Sequence, residues 1–176
     1  MDSDQGSNRI TSHNLYNQQQ DAIMSSCRRL GLENTEENNI KFIFVPALLD
    51  GNDGFLNLNY YDVLAACDLG VFPSWYEPWG YTPQESIAYS VPTVTTDLSG
   101  FGIWVREVAD TDTSGVHIIP RRKTSYDETK NALCHVLRDY ALMSADELAK
   151  RRCTARELAA KCSWEEFLPY YISAYS

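Results

Sequence analysis

The segment Leu69-Gly70-Val71-Phe72-Pro73 leads through a short loop into Glu77-Pro78-Trp79-Gly80-Tyr81-Thr82-Pro83-Gln84-Glu85, and this transition decides the fold. An apolar run followed by a Pro- and Gly-containing turn is typical of a buried strand that passes into a helix. In an open parallel sheet, ligands bind beyond the carboxyl ends of the strands. The first N–H groups of a helix placed there have no intrahelical partner and favour an anion. Carboxylates suit sugar hydroxyls, so Glu77 and Glu85 beside such a helix predict a ligand with a phosphate end and a polyol end, such as a nucleotide sugar.

Each carboxylate also has a structural interpretation to weigh. Thr82-Pro83-Gln84-Glu85 fits a capping box, with Thr82 as the N-cap, Pro83 in the first helical position and Glu85 reaching back to the N-cap amide. Spacing alone favours a cap over a ligand contact for Glu85. Glu77 has no such explanation, because it follows a buried strand and precedes a Pro-Trp-Gly turn. It is therefore the better functional candidate of the two.

Helix and strand signals alternate along most of the chain. Short apolar runs predict parallel strands covered on both faces at 42–45, 69–72, 93–95 and 116–119. Helices are predicted near 16–30, 60–67, 83–89 and 102–108; the first has Ile23, Cys27 and Leu30 on one face and Gly31 as its stop. Beyond Pro120 the pattern is wholly helical, near 127–142, 145–162 and 164–174. The order predicts an α/β fold, a Rossmann-like doubly wound parallel sheet, with an all-helical C-terminal extension from about residue 127.

Length and composition narrow the class of protein. The 176 residues suffice for one domain, which we place at 13–176 as a single nucleotide-sugar-binding domain; the polar residues 1–12 are expected to be disordered or an artificial start. A net charge of −9 argues against nucleic acid and membrane partners. No apolar run has the length of a membrane span, and the N-terminus does not resemble a signal peptide. Five scattered cysteines are expected to be reduced and mostly buried, which predicts a cytoplasmic location.

Blocks on both sides of the carboxylate pair carry a family resemblance. Leu69-Gly70-Val71-Phe72-Pro73-Ser74 precedes the pair, and Pro92-Thr93-Val94-Thr95-Thr96-Asp97-Leu98-Ser99-Gly100-Phe101-Gly102 follows it. Together they resemble the C-terminal, nucleotide-binding half of the eukaryotic-type glycogen synthases, glycosyltransferase family 3. The likeness extends to Ile10-Thr11-Ser12-His13-Asn14, to Lys41-Phe42-Ile43-Phe44-Val45-Pro46 and to Arg121-Arg122. The Glu-x7-Glu spacing alone is shared by many retaining glycosyltransferases, and the flanking blocks make it specific.

The resemblance implies a fold, an activity and a set of partners. The family has the GT-B fold, in which two Rossmann-like domains face each other across a cleft. It implies that the chain is the donor-binding domain of an enzyme that transfers glucose from UDP-glucose to an α-1,4-glucan acceptor, without a cofactor. The acceptor domain and the Arg/Lys pair for the donor diphosphate would precede this region, so the chain alone should be inactive. A homo-oligomer is compatible with this assignment. The alternatives are a GT-B transferase with another sugar donor and a non-catalytic nucleotide-sugar- or glucan-binding module.

The resemblance also assigns roles to individual residues. Glu77 matches the carboxylate at the donor glucose, as the catalytic group, and Glu85 matches the one at the ribose. Tyr60 matches a tyrosine that stacks on the base, or it is an ordinary helix-start aromatic. Leu48 falls where the family has an aromatic on the other side of the base. The loop whose backbone holds sugar and phosphate is matched by Trp79, Gly80, Tyr81 and Thr82, although the two aromatics also fit core packing.

Charged residues elsewhere in the chain are interpreted as solvated rather than functional. Asp110-Thr111-Asp112 has the form of a GT-A metal signature, but it lies in a Thr/Ser/Gly-rich turn and is interpreted as a solvated loop, so no metal is predicted. The nearest basic residue to the carboxylate pair along the chain is Arg106. Arg152 and Arg156, in the place of the family's arginine cluster, share a helix face that is expected to be solvated. The residues expected to pack the last helix on a core are Trp164, Phe167, Tyr170 and Tyr171.

Overall fold

A computed structural model describes residues 9–111 and 113–176. The chain divides into two compact units, one ending at Tyr60 and the other running from Tyr61 to Ser176. This division differs from the predicted boundary at residue 12, which stays a prediction for the biological domain. The two units are described separately.

The first unit contains one helix, α1, at Ala22–Arg29. Its N-cap is Asp21, whose side chain accepts a hydrogen bond from the Met24 N–H at 2.9 Å. The predicted start near residue 16 is wrong because this cap begins the helix later. Met24 and Cys27 are its buried residues, whereas Ile23 and Leu30 are exposed, which corrects the predicted face.

The predicted strand at 42–45 is reduced to a single parallel bridge between Thr11 and Phe44. The Phe44 N–H donates to the Ile10 carbonyl at 2.7 Å, and the Ser12 N–H donates to the Phe44 carbonyl at 2.9 Å. Ile10, Thr11 and Ser12 are buried by this pairing. These residues, which the sequence assigned to a disordered start, are therefore part of the first unit's structure.

The second unit is built around a three-stranded parallel sheet in the order β1-β2-β3. Its strands are β1 at Gly70–Val71, β2 at Thr93–Thr96 and β3 at Val116–Ile119. Helices alternate with them: α2 at Tyr60–Ala66, α3 at Tyr81–Ala88 and α4 at Gly100–Val108. The prediction of an α/β fold with a parallel sheet is confirmed, and three of the four predicted strands are present.

The central strand β2 is buried at every position although three of its four residues are threonines. Each hydroxyl has a partner: Thr93 Oγ1 donates to the Gly70 carbonyl (3.3 Å), Thr95 Oγ1 pairs with Ser99 Oγ (3.0 Å), and Thr96 Oγ1 donates to the Ser74 carbonyl (2.7 Å). Burying a hydroxyl is costly unless it is hydrogen-bonded. These bonds tie the strand to β1 and to the loops that follow β1 and β2. An adjacent apolar cluster is formed by Ile87, Phe101, Val105, Val116, Ala155, Leu158 and Cys162.

The C-terminal part of the described chain is helical, as predicted, with α5 at Tyr126–Ala141, α6 at Ala145–Ala160 and α7 at Trp164–Tyr175. A capping box of Ser125 and Glu128 begins α5, and the hydrogen bonds from Ser125 lower the pKa of Glu128. On α7 only Phe167 packs as predicted, edge-on against Trp79 and Trp104. The expected packing of the other three aromatics is wrong, because all are more than half exposed: Trp164, Tyr170 and Tyr171.

The five cysteines are all free. Cys27 and Cys162 are buried, whereas the other three are exposed, so the prediction of mostly buried thiols is wrong. Burial raises the pKa of Cys162 to about 12, which keeps that thiol protonated at neutral pH. Across the described residues, no helix is both long and apolar enough to cross a bilayer.

Candidate functional site

The loop between β1 and α3 carries Glu77 and is held by the backbone of the loop that follows β2. The Glu77 N–H donates to the Leu98 carbonyl (3.2 Å), and the Gly100 N–H donates to the Glu77 carbonyl (3.0 Å). Two residues further, the Phe101 N–H donates to the Trp79 carbonyl at 2.7 Å. These ladder-like bonds fix the main chain of Glu77 beyond the carboxyl end of the sheet, where the sequence places a ligand site.

Gly100 permits this close approach of the two loops. A Cβ at this position would lie 2.1 Å from the Pro78 carbonyl oxygen and 3.2 Å from the Trp79 Cα. Both neighbours are backbone atoms, so neither can move aside by changing a rotamer. A side chain at residue 100 is therefore incompatible with the observed position of the Glu77 loop.

The Glu77 side chain is half-buried and has one hydrogen-bond partner in the structure. Ser74 Oγ donates to Glu77 Oε2 at 2.7 Å. Of the residues that the structure describes, none hydrogen-bonds to Oε1, and none forms an ion pair with this carboxylate. An ionised carboxylate accepts several hydrogen bonds, so Glu77 retains acceptor capacity for a ligand hydroxyl.

Gly80 is the N-cap of α3, and it replaces the capping box that the sequence predicts. Its φ of +121° lies in a region that L side chains rarely adopt. The helix therefore begins at Tyr81, with no side-chain cap, which puts Thr82 in the second helical position and Pro83 in the third. Pro83 is tolerated in this first turn because no intrahelical partner awaits its missing N–H. The predicted capping role of Glu85 is thus wrong, since Glu85 lies a turn beyond the N-cap.

Glu85 takes a different partner, from α2. The Tyr61 hydroxyl donates to Glu85 Oε1 at 3.0 Å. The Tyr61 ring also stacks on Tyr89, with centroids 4.8 Å apart and an angle of 4° between the planes. All three side chains are at least partly accessible to solvent. The second carboxylate is therefore held by an aromatic pair at the surface rather than by the backbone of its own helix.

The remaining residues of the predicted loop have divergent environments. Trp79 lies in the aromatic cluster with Phe101, Trp104 and Phe167, and its Nε1 donates to Gln84 Oε1 at 2.5 Å. Its side chain therefore serves core packing, one of the two interpretations left open by the sequence. Tyr81 is 69% exposed, which excludes core packing for its ring.

Arg121 is a basic residue near the Glu77 loop that sequence reasoning missed. Its guanidinium lies over the Trp75 ring, 4.1 Å from the centroid, and Nη1 donates to the Pro73 carbonyl at 3.2 Å. The Arg121 N–H donates to Asp97 Oδ1 at 2.7 Å, and Asp97 also pairs with Arg106 at 3.6 Å. Arg121 follows β3 as the Glu77 loop follows β1. The shared edge of parallel strands was the signal that could have revealed it.

In the first unit, backbone hydrogen bonds bring Tyr60 next to the segment that contains Leu48. The Tyr60 N–H donates to the Leu49 carbonyl at 2.9 Å, and Asp50 pairs with Asn59 in an antiparallel bridge. The Leu48 side chain is 88% exposed and that of Tyr60 is 37% exposed. Both side chains are therefore accessible to a ligand, and their assigned roles at the base stay predictions.

Arg156 is exposed, as the prediction of a solvated face has it, whereas Arg152 is partly buried, and both arginines bond to carbonyls of other elements. Arg152 Nη2 donates to the Cys67 carbonyl (2.7 Å) and Asp68 Oδ1 (3.0 Å), and its Nη1 donates to the Ser90 carbonyl (3.3 Å). Arg156 Nη1 donates to the carbonyl of Ala88, the last residue of α3, at 3.0 Å. Guanidinium groups at a helix C-terminus satisfy its last carbonyls and complement its dipole. The pair therefore docks α6 against the end of α3.

The His, Cys, Asp and Glu side chains of the described residues are the possible metal ligands. Among them, no group of three or more His, Cys, Asp or Glu side chains could hold a metal ion. Asp110 lies in a turn in which its carbonyl accepts hydrogen bonds from the N–H groups of Thr113 and Ser114. Asp112, the other half of the Asp-x-Asp pattern, lies outside the described residues.

Comparison with known proteins agrees with the resemblance. The glycogen synthase family profile matches residues 3–176. The chain is 38% identical to mouse liver glycogen (starch) synthase and 37% identical to the human liver protein, each over 163 residues. It is 33% identical over 168 residues to glycogen (starch) synthase isoform 1 of Saccharomyces cerevisiae. These alignments cover 92–94% of the chain but only 23–24% of the relatives. The chain belongs to the glycogen synthase family and spans about a quarter of the length of these relatives.

Proposed function

We propose that this chain is the donor-binding part of a GT-B-type retaining glycosyltransferase that extends an α-1,4-glucan from UDP-glucose. The observation that carries the proposal is the placement of Glu77. A half-buried carboxylate with acceptor capacity to spare lies beyond the end of a parallel sheet, in a loop fixed by the backbone of its neighbour. Family membership supplies the class of reaction, and the names of the relatives supply the glucan.

Glu77 has a chemical role in this proposal. The bond between the anomeric carbon and the diphosphate oxygen breaks, and its electron pair leaves with the diphosphate. An acceptor hydroxyl bonds to the same carbon, and its proton neutralises the released diphosphate. Positive charge grows on the glucosyl ring during this step, and a fixed carboxylate stabilises it without reorganising. Glu77 is therefore the catalytic residue that we propose.

The other site residues would bind the donor. Glu85, held by the Tyr61 hydroxyl at 3.0 Å, is proposed to accept hydrogen bonds from the ribose. The uncapped N-terminus of α3, at Gly80, Tyr81 and Thr82, would receive part of the diphosphate. Tyr60 and Leu48 would contact the base. No cofactor is required for this chemistry, and a cytoplasmic enzyme remains our expectation.

The donor diphosphate also needs positive charge, which this chain supplies poorly. Arg106 pairs with Asp97, and Arg121 lies on Trp75 and bonds to Pro73. The resemblance places the cationic pair and the acceptor domain before this region. We therefore expect the 176-residue chain to bind UDP at a Kd of about 1 mM or weaker, worth about 4 kcal/mol or less. Calorimetry checks this, and a low-micromolar Kd would show that the chain holds a complete donor site.

The test of the function uses the full-length protein that carries this sequence. Transfer of labelled sugar to a maltooligosaccharide is measured with UDP-glucose, ADP-glucose and UDP-galactose in parallel. We expect glucan extension from UDP-glucose with retention at the anomeric carbon. Preference for another donor would identify a different GT-B transferase. Donor or glucan binding without transfer, detected by saturation-transfer NMR, would identify a binding module instead.

A further inference from the structure

The Glu77 carboxylate is connected to the buried central strand through a short series of hydrogen bonds. Its only hydrogen-bond partner in the described chain is the Ser74 hydroxyl, at 2.7 Å from Oε2. Ser74 lies three residues earlier, in an irregular loop rather than a helix, so no regular backbone repeat imposes this contact. The orientation of the carboxylate therefore depends on where the loop holds Ser74.

Ser74 is itself held by β2. Thr96 Oγ1 donates to the Ser74 carbonyl at 2.7 Å, and Thr96 is fully buried. The same segment is also held two residues earlier, where the Phe72 N–H donates a hydrogen bond to the Val94 carbonyl at 2.8 Å. A buried hydroxyl with a satisfied bond has little freedom to move. Thr96 thus fixes the main chain of Ser74, and the Ser74 side chain fixes Glu77.

We propose that Ser74 is a positioning residue for Glu77, and that Thr96 acts on Glu77 through Ser74. This inference rests on the proposed function, because it assigns Ser74 a part in the step that Glu77 stabilises. One carboxylate oxygen is held by the protein and the other remains for the donor glucose. Preorganised groups accelerate a reaction by being in place before charge develops. Loss of the Ser74 hydroxyl should therefore reduce turnover more than donor binding.

The first arm of the test compares two substitutions of Ser74 in the full-length protein. For Ser74→Ala we expect kcat with UDP-glucose to fall about tenfold or more, the effect typical of losing a hydrogen bond to a charged group. Donor KM and the melting temperature should change little, since the contact is not made to the ribose or base. Ser74→Thr keeps the hydroxyl and should recover most of the lost turnover. A purely structural role would instead lower the melting temperature and leave kcat unchanged.

The second arm tests the connection through Thr96. Thr96→Val removes the hydroxyl at nearly constant shape, and with it both the donor to the Ser74 carbonyl and the acceptor for the Leu98 N–H, whereas Thr96→Ser keeps both bonds. The matched control is Thr93→Val, which removes a buried hydroxyl from the same strand where it bonds to the Gly70 carbonyl instead. We expect Thr96→Val alone to lower kcat. Combined with Ser74→Ala, it should add much less than its single effect, because both act on one carboxylate.

The outcomes separate this inference from the proposed function. If the unmodified protein makes no glucan from UDP-glucose, the function and this inference both fall. If it makes glucan and Ser74→Ala turns over normally, only the positioning role is overturned. Independent effects of Thr96→Val and Ser74→Ala on kcat would overturn the connection between them. If Ser74→Ala does not fold, the comparison of Thr96→Val with Thr96→Ser and Thr93→Val decides.

Discussion

The two carboxylates of the site are held in opposite ways. Glu77 sits in a loop whose main chain bonds to the loop after β2 and whose serine is tied to a buried threonine. Glu85 projects from a helix and is met by one tyrosine hydroxyl at the surface. A group that stabilises a transition state must be fixed in advance, whereas a group that binds a ribose can adjust. The contrast in anchoring therefore parallels the proposed contrast in role.

The strongest test of this contrast is Glu77→Gln in the full-length protein. Loss of a transition-state contact of this kind costs about 3 kcal/mol, or on the order of a hundredfold in kcat. The amide can still accept from Ser74, so we expect the melting temperature to stay nearly unchanged. Glu107→Gln, the same change at an exposed position of α4, is the matched control. If Glu77→Gln turned over at a near-normal rate, the catalytic assignment of Glu77 would be wrong, and only the family resemblance would remain.

Next in size is the effect of Gly100→Ala on stability. The new methyl group would meet the Pro78 carbonyl oxygen at 2.1 Å, so one of the two loops must shift. Overpacking of this kind costs about 1–3 kcal/mol, measured as a fall in thermal stability. Gly31→Ala is a useful control because it introduces a positive-φ alanine with no atom within 4 Å. If Gly100→Ala is no worse than Gly31→Ala, the close approach of the two loops is not what holds Glu77.

Glu85→Gln should have a smaller effect, and mainly on donor KM. A glutamine keeps one acceptor for the Tyr61 hydroxyl but loses the charge, so we expect KM to rise about tenfold with kcat changed little. The melting temperature should not fall, because Glu85 does not cap α3. Ser125→Ala, which removes the true capping box of α5, provides the comparison at about 1 kcal/mol. A large loss of kcat in Glu85→Gln would erase the contrast with Glu77.

No effect is expected from chelation of divalent metal. Both carboxylates are assigned direct contacts with the donor, and the described residues contain no metal-binding group. EDTA should therefore leave the transfer rate of the full-length protein unchanged. If activity were lost and restored by Mn²⁺, and Asp112→Ala abolished that rescue, the solvated-loop interpretation of 110–112 would be wrong.

The sequence predicted those parts of the second unit, Tyr61–Ser176, that depend on local pattern. Apolar runs located β1, β2 and β3, and helical periodicity located the helices between and after them. The contacts that orient the site were beyond its reach because they join distant positions. Tyr61 and Glu85 are 24 residues apart, and Arg121 and Pro73 are 48 residues apart.

Local chemistry also misled where two explanations competed. Thr82 and Glu85 have the spacing of a capping box, but the positive φ of Gly80 begins α3 earlier and leaves that box unused. The arginines at 152 and 156 have the spacing of a solvated face, yet the carbonyls at the end of α3 lie within their reach. The first case was decided by the backbone conformation of Gly80 and the second mainly by backbone carbonyls, and sequence pattern identifies neither.

The hydroxyl-rich composition of β2 has a consequence for protein engineering. A stability screen would favour valine at 93, 95 and 96, since these positions are fully buried and β-branched residues suit strands. At 96, however, the replacement would leave the Ser74 carbonyl without its donor. A choice made by burial alone would therefore sacrifice the hydrogen bond that holds the Ser74 loop, at a cost in stability. A design that fixes Thr96 and varies the outer faces of α5 and α6 would avoid the conflict.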